Sequence, residues 1–277
     1  VTDVVARLLG ERLAAELGQP VIVDNKAGAG GVIATDIVAK APADGYTLLL
    51  TTPNHTINAA FRTSLPYDTE KDLRPIAIVG QVPMLLVSHP SLPVTTFKEF
   101  VDYARTNRVS LGTYGAGSYP HVVAEALNRI YGLSIQAVHY RGEAPMWQEV
   151  ASGAIQGGSG SYAASSPILQ NGSGRAIAVP SMVRMKKLPD VATFYEQGAT
   201  DKAFQVRGWI CMVGPIGMPD HIVQKLSDVM VEGGKTERIQ KILDTFGIDE
   251  GARDRVYFKK VIDEEGPVWI DLIKGLN

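Results

Sequence analysis

Short apolar segments alternate with helical segments along most of this chain, and this alternation constrains the fold more than any other feature. Residues 46–50 and 109–113 are apolar runs of strand length, whereas residues 97–103 and 121–130 repeat apolar side chains at helical spacing. Short apolar strands separated by helices are typical of parallel sheets that helices cover on both faces. The pattern therefore predicts an α/β fold with mainly parallel sheets.

The same alternation extends over the rest of the chain until residue 213, after which the pattern is helical only. Asp3 stands where the cap of the first helix is expected. The predicted strands are residues 21–23, 46–50, 84–87, 109–113, 135–139, one near residue 155, 175–179 and 210–213. The predicted helices are residues 4–17, 32–41, 97–103, 121–130, a segment opened by Pro145, one between the strand near 155 and residue 175, 219–231, 236–245 and 254–273.

The length of 277 residues suggests about two domains. Prolines and glycines cluster at Pro83, Pro90 and Pro93 and again at residues 214–219, where we expect the chain to pass between domains. Two such passages predict a discontinuous first domain, residues 1–95 plus 208–277, around an inserted second domain, residues 96–207.

Charge and cysteine content exclude several kinds of partner and site. Lys+Arg number 27 and Asp+Glu number 29, for a formal charge of −2, so we predict no nucleic-acid partner. No apolar run of the sequence approaches the roughly 18 residues of a membrane span. The single cysteine, Cys211, excludes an internal disulfide and is expected to be an inert core thiol.

The strongest local motif is the glycine-containing loop TYGAGSYP at residues 113–120, between a predicted strand and a predicted helix. Its glycines let the backbone approach a ligand, the helix offers free N–H groups, and Ser118 adds a hydroxyl, so the loop is a candidate anion site. A Rossmann loop is excluded because Pro120 replaces the third glycine and Arg141, not an acid, follows the next strand. A tight turn with Ser118 as a helix cap stays open as the alternative.

Two further polar loops follow predicted strands. Residues 51–56, TTPNHT, lie where open α/β sheets bind ligands, although helix capping by Thr52 or Asn54 also explains their composition. In the loop YRGEAP at residues 140–145, Arg141 is a candidate clamp for a carboxylate. A salt bridge of Arg141 with Glu143 or another neighbour is the alternative.

Signatures of enzymes are absent from the sequence. It has neither a Gly-x-Ser-x-Gly elbow nor a His-Glu-x-x-His helix. His121 and Glu125 share a helix face, but two ligands without a third do not make a metal site. We therefore predict no catalytic residue, no metal and no cofactor.

Several ordered motifs carry a family resemblance. They are VIVDNKAGAGG at residues 21–31, ADGYTLL at 43–49, LPYD at 65–68 with KD at 71–72, YRGEAP at 140–145, LPDV at 188–191 and EQG at 196–198. Together they resemble the Bug/TctC family, the periplasmic solute-binding proteins of tripartite tricarboxylate transporters. The resemblance implies a type II periplasmic-binding-protein fold, with two α/β lobes and a ligand cleft between them.

The resemblance also implies a ligand, partners and a location. The ligand is a small carboxylate, a membrane permease of a tripartite tricarboxylate transporter receives it, and a sensor kinase is a further partner of some members. The implied location is the periplasm, with the signal peptide, a first strand and a ligand-holding loop expected ahead of residue 1. The implied ligand-binding residues are Thr2, Asp3, Thr51, Thr52, Asn54, His55, Ala116, Gly117, Ser118, Tyr140, Arg141, Gly142, Ser159 and Ser161.

The sequence departs from the family pattern near residue 160. Where the family commonly has Phe-Asp, this chain has Ser159 and Gly160, followed by Ser161. Because that Asp suits a ligand ammonium group, its absence favours a plain carboxylic acid, either a dicarboxylate or a bulkier aromatic acid, over an amino acid. This remains a hypothesis at the level of the sequence.

Two other classes of function stay open on sequence grounds. The same two-lobed fold serves transferases and the effector domains of bacterial transcription regulators. An enzyme needs a placed nucleophile or acid/base pair, and a regulator needs an appended DNA-binding module. A signal peptide upstream would favour transport instead.

Overall fold

The computed structural model describes residues 2–26, 28–61, 64–248 and 251–274, and within them ten α-helices and eight β-strands alternate along the chain. None of these described helices has the length and apolar character needed to cross a bilayer. The elements, numbered in chain order, are α1 (Thr2–Leu17), a 3-10 turn (Ala29–Gly31), α2 (Val32–Ala39), β1 (Leu49–Thr51), α3 (Asn54–Phe61), β2 (Leu73–Val82), β3 (Met84–Ser88), α4 (Phe97–Thr106), β4 (Ser110–Thr113), α5 (Tyr119–Tyr131), β5 (Gln136–His139), α6 (Glu143–Ala151), β6 (Gly157–Ser161), α7 (Tyr162–Gln170), β7 (Arg175–Ala178), a second 3-10 turn (Lys202–Phe204), β8 (Gly208–Pro215), α8 (Asp220–Gly234), α9 (Glu237–Thr245) and α10 (Arg255–Lys274).

The chain divides into two compact units, one of residues 1–81 and 209–270 and the other of residues 82–208 and 271–277. The chain first passes from one unit to the other between residues 81 and 82, which is earlier than the boundary near residue 95 that the prolines suggest. The reason is β3, which precedes that boundary but pairs with β6 and β7 of the second unit. Pro90 and Pro93 therefore belong to the second unit rather than to a crossing.

The first unit contains a three-stranded sheet in the order β1-β8-β2, with β1 antiparallel to β8. At the start of β8, the Trp209 ring packs edge-on against Phe258 of α10, with 5.6 Å between ring centroids. The indole Nε1 of Trp209 donates to the carboxylate of Glu265 at 3.1 Å. Cys211 is buried in the same core, and burial raises the pKa of its thiol, as expected for an inert core residue.

The second unit contains a five-stranded sheet in the order β5-β4-β6-β3-β7. Strand β4 runs parallel to β5 and β6, whereas β3 runs antiparallel to β6 and β7. The prediction of mainly parallel sheets is therefore wrong here, and the sheet is mixed. Helix α7 connects β6 to β7, and this helical crossover lets the two strands run in the same direction. Strand β3 enters from the other unit without a helical crossover, which an antiparallel strand does not need.

Residues 21–23 do not form the buried strand that their apolar character predicts. Val21 is 41% exposed and Ile22 is 87% exposed. Among the strands within the described ranges, none pairs with this segment. An apolar run becomes a strand only where a neighbouring strand supplies hydrogen bonds, so composition alone is misleading at this place.

Strand β6, with the sequence GGSGS, is buried along its whole length although it carries no large side chain. A Cβ atom added to Gly157 would lie 2.4 Å from the carbonyl oxygen of Val87 on β3. A Cβ atom on Gly160 would lie 2.9 Å from Cζ2 of Trp147 on α6. The glycines therefore let β3 and α6 pack directly against the backbone of β6.

Gly157→Ala is expected to lower the free energy of unfolding by about 2–3 kcal/mol, because the opposing Val87 oxygen belongs to the backbone and cannot swing aside. Gly158→Ala is the matched control, since its nearest atoms would lie at 3.4 Å, and it should cost less than about 1 kcal/mol. Urea unfolding followed by circular dichroism measures both variants. Equal effects would contradict the close approach of β3 at Gly157.

Candidate ligand-binding site

Two of the loops singled out in the sequence and the end of strand β6 meet at one edge of the second unit's sheet. Strands β4, β5 and β6 run parallel, with Thr113 opposite His139 and Gly112 opposite Gly158, so their carboxyl ends share an edge. Ligands of open α/β sheets bind at this edge. The structure thus brings together the residues after β4 (Ala116, Gly117, Ser118), those after β5 (Tyr140, Arg141, Gly142) and Ser161 at the end of β6.

The loop after β4 is held by its own hydrogen bonds. Gly115 and Gly117 have φ angles of 145° and 76°, which favour glycine. The hydroxyl of Ser118 donates to the Gly115 carbonyl oxygen at 2.6 Å, and the Gly117 N–H donates to Nδ1 of His121 at 3.0 Å. Ser118 occupies the N-cap position of α5 but makes no capping bond there, so its hydroxyl hydrogen stabilises the loop instead.

Two histidines contact this loop and the end of the strand that precedes it. The His121 and His139 rings meet edge to face, 4.8 Å apart, and Nδ1 of His139 lies 2.6 Å from the Thr113 hydroxyl. Burial, and then the neighbouring His139, lower the pKa of His121 below its ordinary value. Nε2 of His121 lies 3.9 Å from the Glu125 carboxylate, and the described residues include no group of three potential metal ligands.

Glu143, the first residue of α6, is hydrogen-bonded to Ser161 rather than paired with Arg141. Its Oε1 accepts from the Ser161 N–H at 2.9 Å, and its Oε2 accepts from the Ser161 hydroxyl at 2.5 Å. Burial raises the pKa of Glu143, and the two bonds from Ser161 oppose that shift. Ser161 also caps α7 by accepting from the Ala164 N–H at 3.3 Å.

The remaining predicted site residues of this unit differ in how exposed they are and in whether their polar groups already have a partner within the protein. Arg141 is exposed, and within the part of the chain that the structure describes no ion pair joins it to Glu143. Gly142, with a φ of 111°, turns the chain into α6. Burial raises the pKa of the half-buried Tyr140. Ser159 is buried and its hydroxyl donates to the Leu85 carbonyl oxygen at 2.9 Å, so this hydroxyl already has a partner inside the sheet.

In the first unit, the predicted site residues lie at the end of β1 and at the start of α3. Thr51 ends β1 opposite Cys211 on β8, Thr52 follows it, and α3 begins at Asn54 itself. The side chain of His55 lies outside the described part of the chain. Thr51, Thr52 and Asn54 follow or end a strand, as the sequence predicts, and each of the three is half-buried.

Thr2 and Asp3 lie in the first turn of α1, so Asp3 is inside the helix rather than at its cap. The Asp3 carboxylate accepts from Nε of Arg7 at 3.1 Å and from Nδ2 of Asn25 at 2.7 Å. These two bonds, that of Arg7 first, lower the pKa of Asp3. The side chain is therefore a charged anchor for Asn25, and its charge would repel a carboxylate.

One positioning residue of the first unit, Asn58, has no signal in the sequence. It is buried on α3 and its Nδ2 donates to the Gly30 carbonyl oxygen at 2.9 Å. The turn that it holds has positive φ angles at Gly28 (132°), Ala29 (49°), Gly30 (65°) and Gly31 (91°). The glycine run predicts the turn, but the asparagine comes from a helix that the apolar periodicity does not reveal.

Ser161→Ala is expected to destabilise the protein more at pH 8 than at pH 4, by about 1 kcal/mol, because a hydrogen bond to an ionised carboxylate is stronger than one to a neutral carboxyl. The raised pKa of Glu143 already makes its contribution to stability fall as the pH rises through that value, and loss of the Ser161 donor deepens the fall. Urea unfolding at both pH values measures the difference.

Ser165→Ala is the matched control for that experiment. Its hydroxyl, on the same helix, donates to the Ser161 carbonyl oxygen at 2.9 Å and has no titratable partner among the bonds described. Its cost should be the same at both pH values. A cost of Ser161→Ala that does not change with pH would show that the Glu143 carboxyl does not ionise beside Ser161.

Known proteins resemble this chain along nearly its full length. Residues 5–277 match the tripartite tricarboxylate transporter family receptor, TctC. Protein BugT from Bordetella pertussis is 34% identical over 230 residues, which cover 82% of this chain and 70% of BugT. Among solved structures, R. palustris Rpa4515 with adipate has a TM-score of 0.92 at 30% identity and covers 99% of this chain and 92% of its own.

A second solved structure, MatC from Rhodopseudomonas palustris with bound malate, has a TM-score of 0.88 at 29% identity and covers 99% of this chain and 94% of its own. These matches confirm the family resemblance and the predicted fold class of a type II periplasmic binding protein. Relatives of this kind are substrate-binding proteins and not enzymes. The chain thus belongs to the TctC family of periplasmic solute-binding proteins.

Proposed function

We propose that this chain captures a small carboxylate in the periplasm and delivers it to the permease of a tripartite tricarboxylate transporter. The observation that supports this most is that two similar solved structures, at 30% and 29% identity over 99% of the chain, hold adipate and malate. Both compounds are small dicarboxylates. Dicarboxylates are therefore the first candidates for this chain, and the aromatic carboxylates that the sequence also favours are the second.

The proposed ligand donors come from loops of both units. In the second unit they are the backbone N–H of the exposed Ala116 and the exposed guanidinium of Arg141, which suits bidentate binding of a carboxylate. In the first unit they are Thr51, Thr52 and Asn54, at the carboxyl end of β1. A net charge of −2 does not oppose this, because a few local donors hold a small anion without excess positive charge.

The ligand is proposed to act by drawing the two units together. A ligand shifts a conformational equilibrium only as far as it binds one state better than the other, so donors from both units are essential to the mechanism. Binding through hydrogen bonds and one exposed guanidinium also keeps release to a membrane permease reversible. A sensor kinase stays a further predicted partner.

The ligand class is tested by titrating the purified protein with carboxylates by calorimetry. Succinate, adipate, malate and benzoate are compared with butane-1,4-diol and hexane-1,6-diol, which match two of the dicarboxylates in length but carry no carboxylate. At least one carboxylate should bind in the micromolar range, with a decrease in the radius of gyration in small-angle X-ray scattering. If no carboxylate binds, or if the diols bind equally well, the proposed function is wrong.

Ser118→Ala should weaken binding of that carboxylate about three- to tenfold, since one lost hydrogen bond lets the loop after β4 relax. The free variant should melt within a few degrees of the wild type. Ser152→Ala is the control, because its exposed hydroxyl also donates to a backbone carbonyl, that of Glu149 at 3.0 Å, but lies at the far end of α6. An unchanged affinity of Ser118→Ala would remove Ser118 from the site.

A further inference from the structure

The carboxylate of Glu143 is placed at the ligand edge of the second unit's sheet. Glu143 opens α6 directly after the loop of Arg141 and Gly142, and it reaches Ser161 at the end of β6. The side chain is only partly exposed. Its charge also contributes to raising the pKa of Tyr114, on the loop after β4, after the larger effect of burial. Glu143 therefore lies among the ends of all three parallel strands.

The hydrogen-bonding capacity of this carboxylate is only half used. An ionised carboxylate accepts about four hydrogen bonds, two at each oxygen. Each Glu143 oxygen accepts one bond from Ser161, the N–H at Oε1 and the hydroxyl at Oε2. Counted over the described residues, one acceptor position remains on each oxygen.

The charge of Glu143 is not paired with a side-chain cation among the described residues, since no lysine or arginine of those ranges forms an ion pair with it. Its position in the first turn of α6 and the bonds from Ser161 favour the ionised form, but burial has the larger effect and raises its pKa. A ligand that donates a hydrogen bond or brings a positive charge would lower the free energy of this carboxylate.

Gly160 makes the space for this arrangement. A Cβ atom at that position would lie 3.1 Å from Oε1 of Glu143 and 2.9 Å from Cζ2 of Trp147. The sequence hypothesis of a plain carboxylic acid depends on the absence of an acid at residue 160. The structure places an acid from residue 143 beside that position, so the hypothesis loses its basis.

We propose that Glu143 determines ligand specificity by accepting a hydrogen bond from the ligand, so that the preferred ligand is a carboxylate with a neighbouring donor group, an ammonium or a hydroxyl. This inference depends on the proposed function, since it concerns the same site and the same carboxylate ligand. Arg141 is the candidate partner of the ligand carboxylate, and Glu143 is the partner of the donor group.

The test uses two ligand series in which one substituent changes. Succinate, malate and aspartate carry hydrogen, hydroxyl and ammonium at the same carbon, and adipate and 2-aminoadipate repeat the comparison in a longer chain. In the wild type the ammonium ligand of the series that binds should be about ten- to a hundredfold tighter than the unsubstituted acid. In Glu143→Gln the two should bind within about threefold of each other.

Glu149→Gln, an exposed position on the same helix, is the matched control and should keep the wild-type ranking. Glu143→Asp, which keeps the charge, separates loss of charge from a folding defect and should keep an ammonium preference. If unsubstituted acids bind the wild type as tightly as substituted ones, or if Glu143→Gln keeps the wild-type ranking, the role of Glu143 is wrong while carboxylate capture stands. If no carboxylate binds at all, the proposed function itself fails.

Discussion

The close packing of β3 and α6 on the bare backbone of β6 is the contact on which the rest of the second unit depends. Gly157 leaves no space for a side chain beneath the Val87 carbonyl, and Gly160 leaves none beneath Trp147. Because α6 lies this close to the strand, its first residue, Glu143, reaches Ser161 at the strand end. Larger residues on β6 would lift the helix and separate the two. The glycines thus create the geometry of the edge, in addition to allowing the strand to pack.

The polar groups of this edge fall into two kinds. The Ser118 hydroxyl and the Gly117 N–H are committed to bonds that hold the loop after β4 in place before a ligand arrives, and the Ser159 hydroxyl is committed to a bond inside the sheet. Arg141 and Glu143, by contrast, carry opposite charges two residues apart and do not pair with each other in the described structure. Preorganised loops with two charges still available suit a ligand that itself carries an anion and a donor.

The sequence predicts the local elements well where apolar periodicity is strong, as in α4, α5 and the helices after β8, and it predicts that the loops after β4 and β5 carry polar residues. Ser161, at the end of β6, follows only from the family resemblance. It fails where a strand depends on a distant neighbour. The direction of β3 follows from its entry between β6 and β7, and none of the described strands pairs with residues 21–23, so neither outcome is readable from local composition. The predicted boundary near residue 95 differs from the structure for the same reason.

The site shows the same division between local and distant information. The glycines in the loop 113–120 predict a backbone turn from the sequence alone. Glu143 and Ser161, by contrast, are separated by 18 residues, and only the tertiary structure shows that they form hydrogen bonds. The net charge of the chain conveys even less, because Arg141 and Glu143 cancel in the sum although each is proposed to bind a different group of the ligand. Specificity at such an edge depends on where the single charges lie. For that reason an acid missing at residue 160 is informative only once the position of the acid at residue 143 is known.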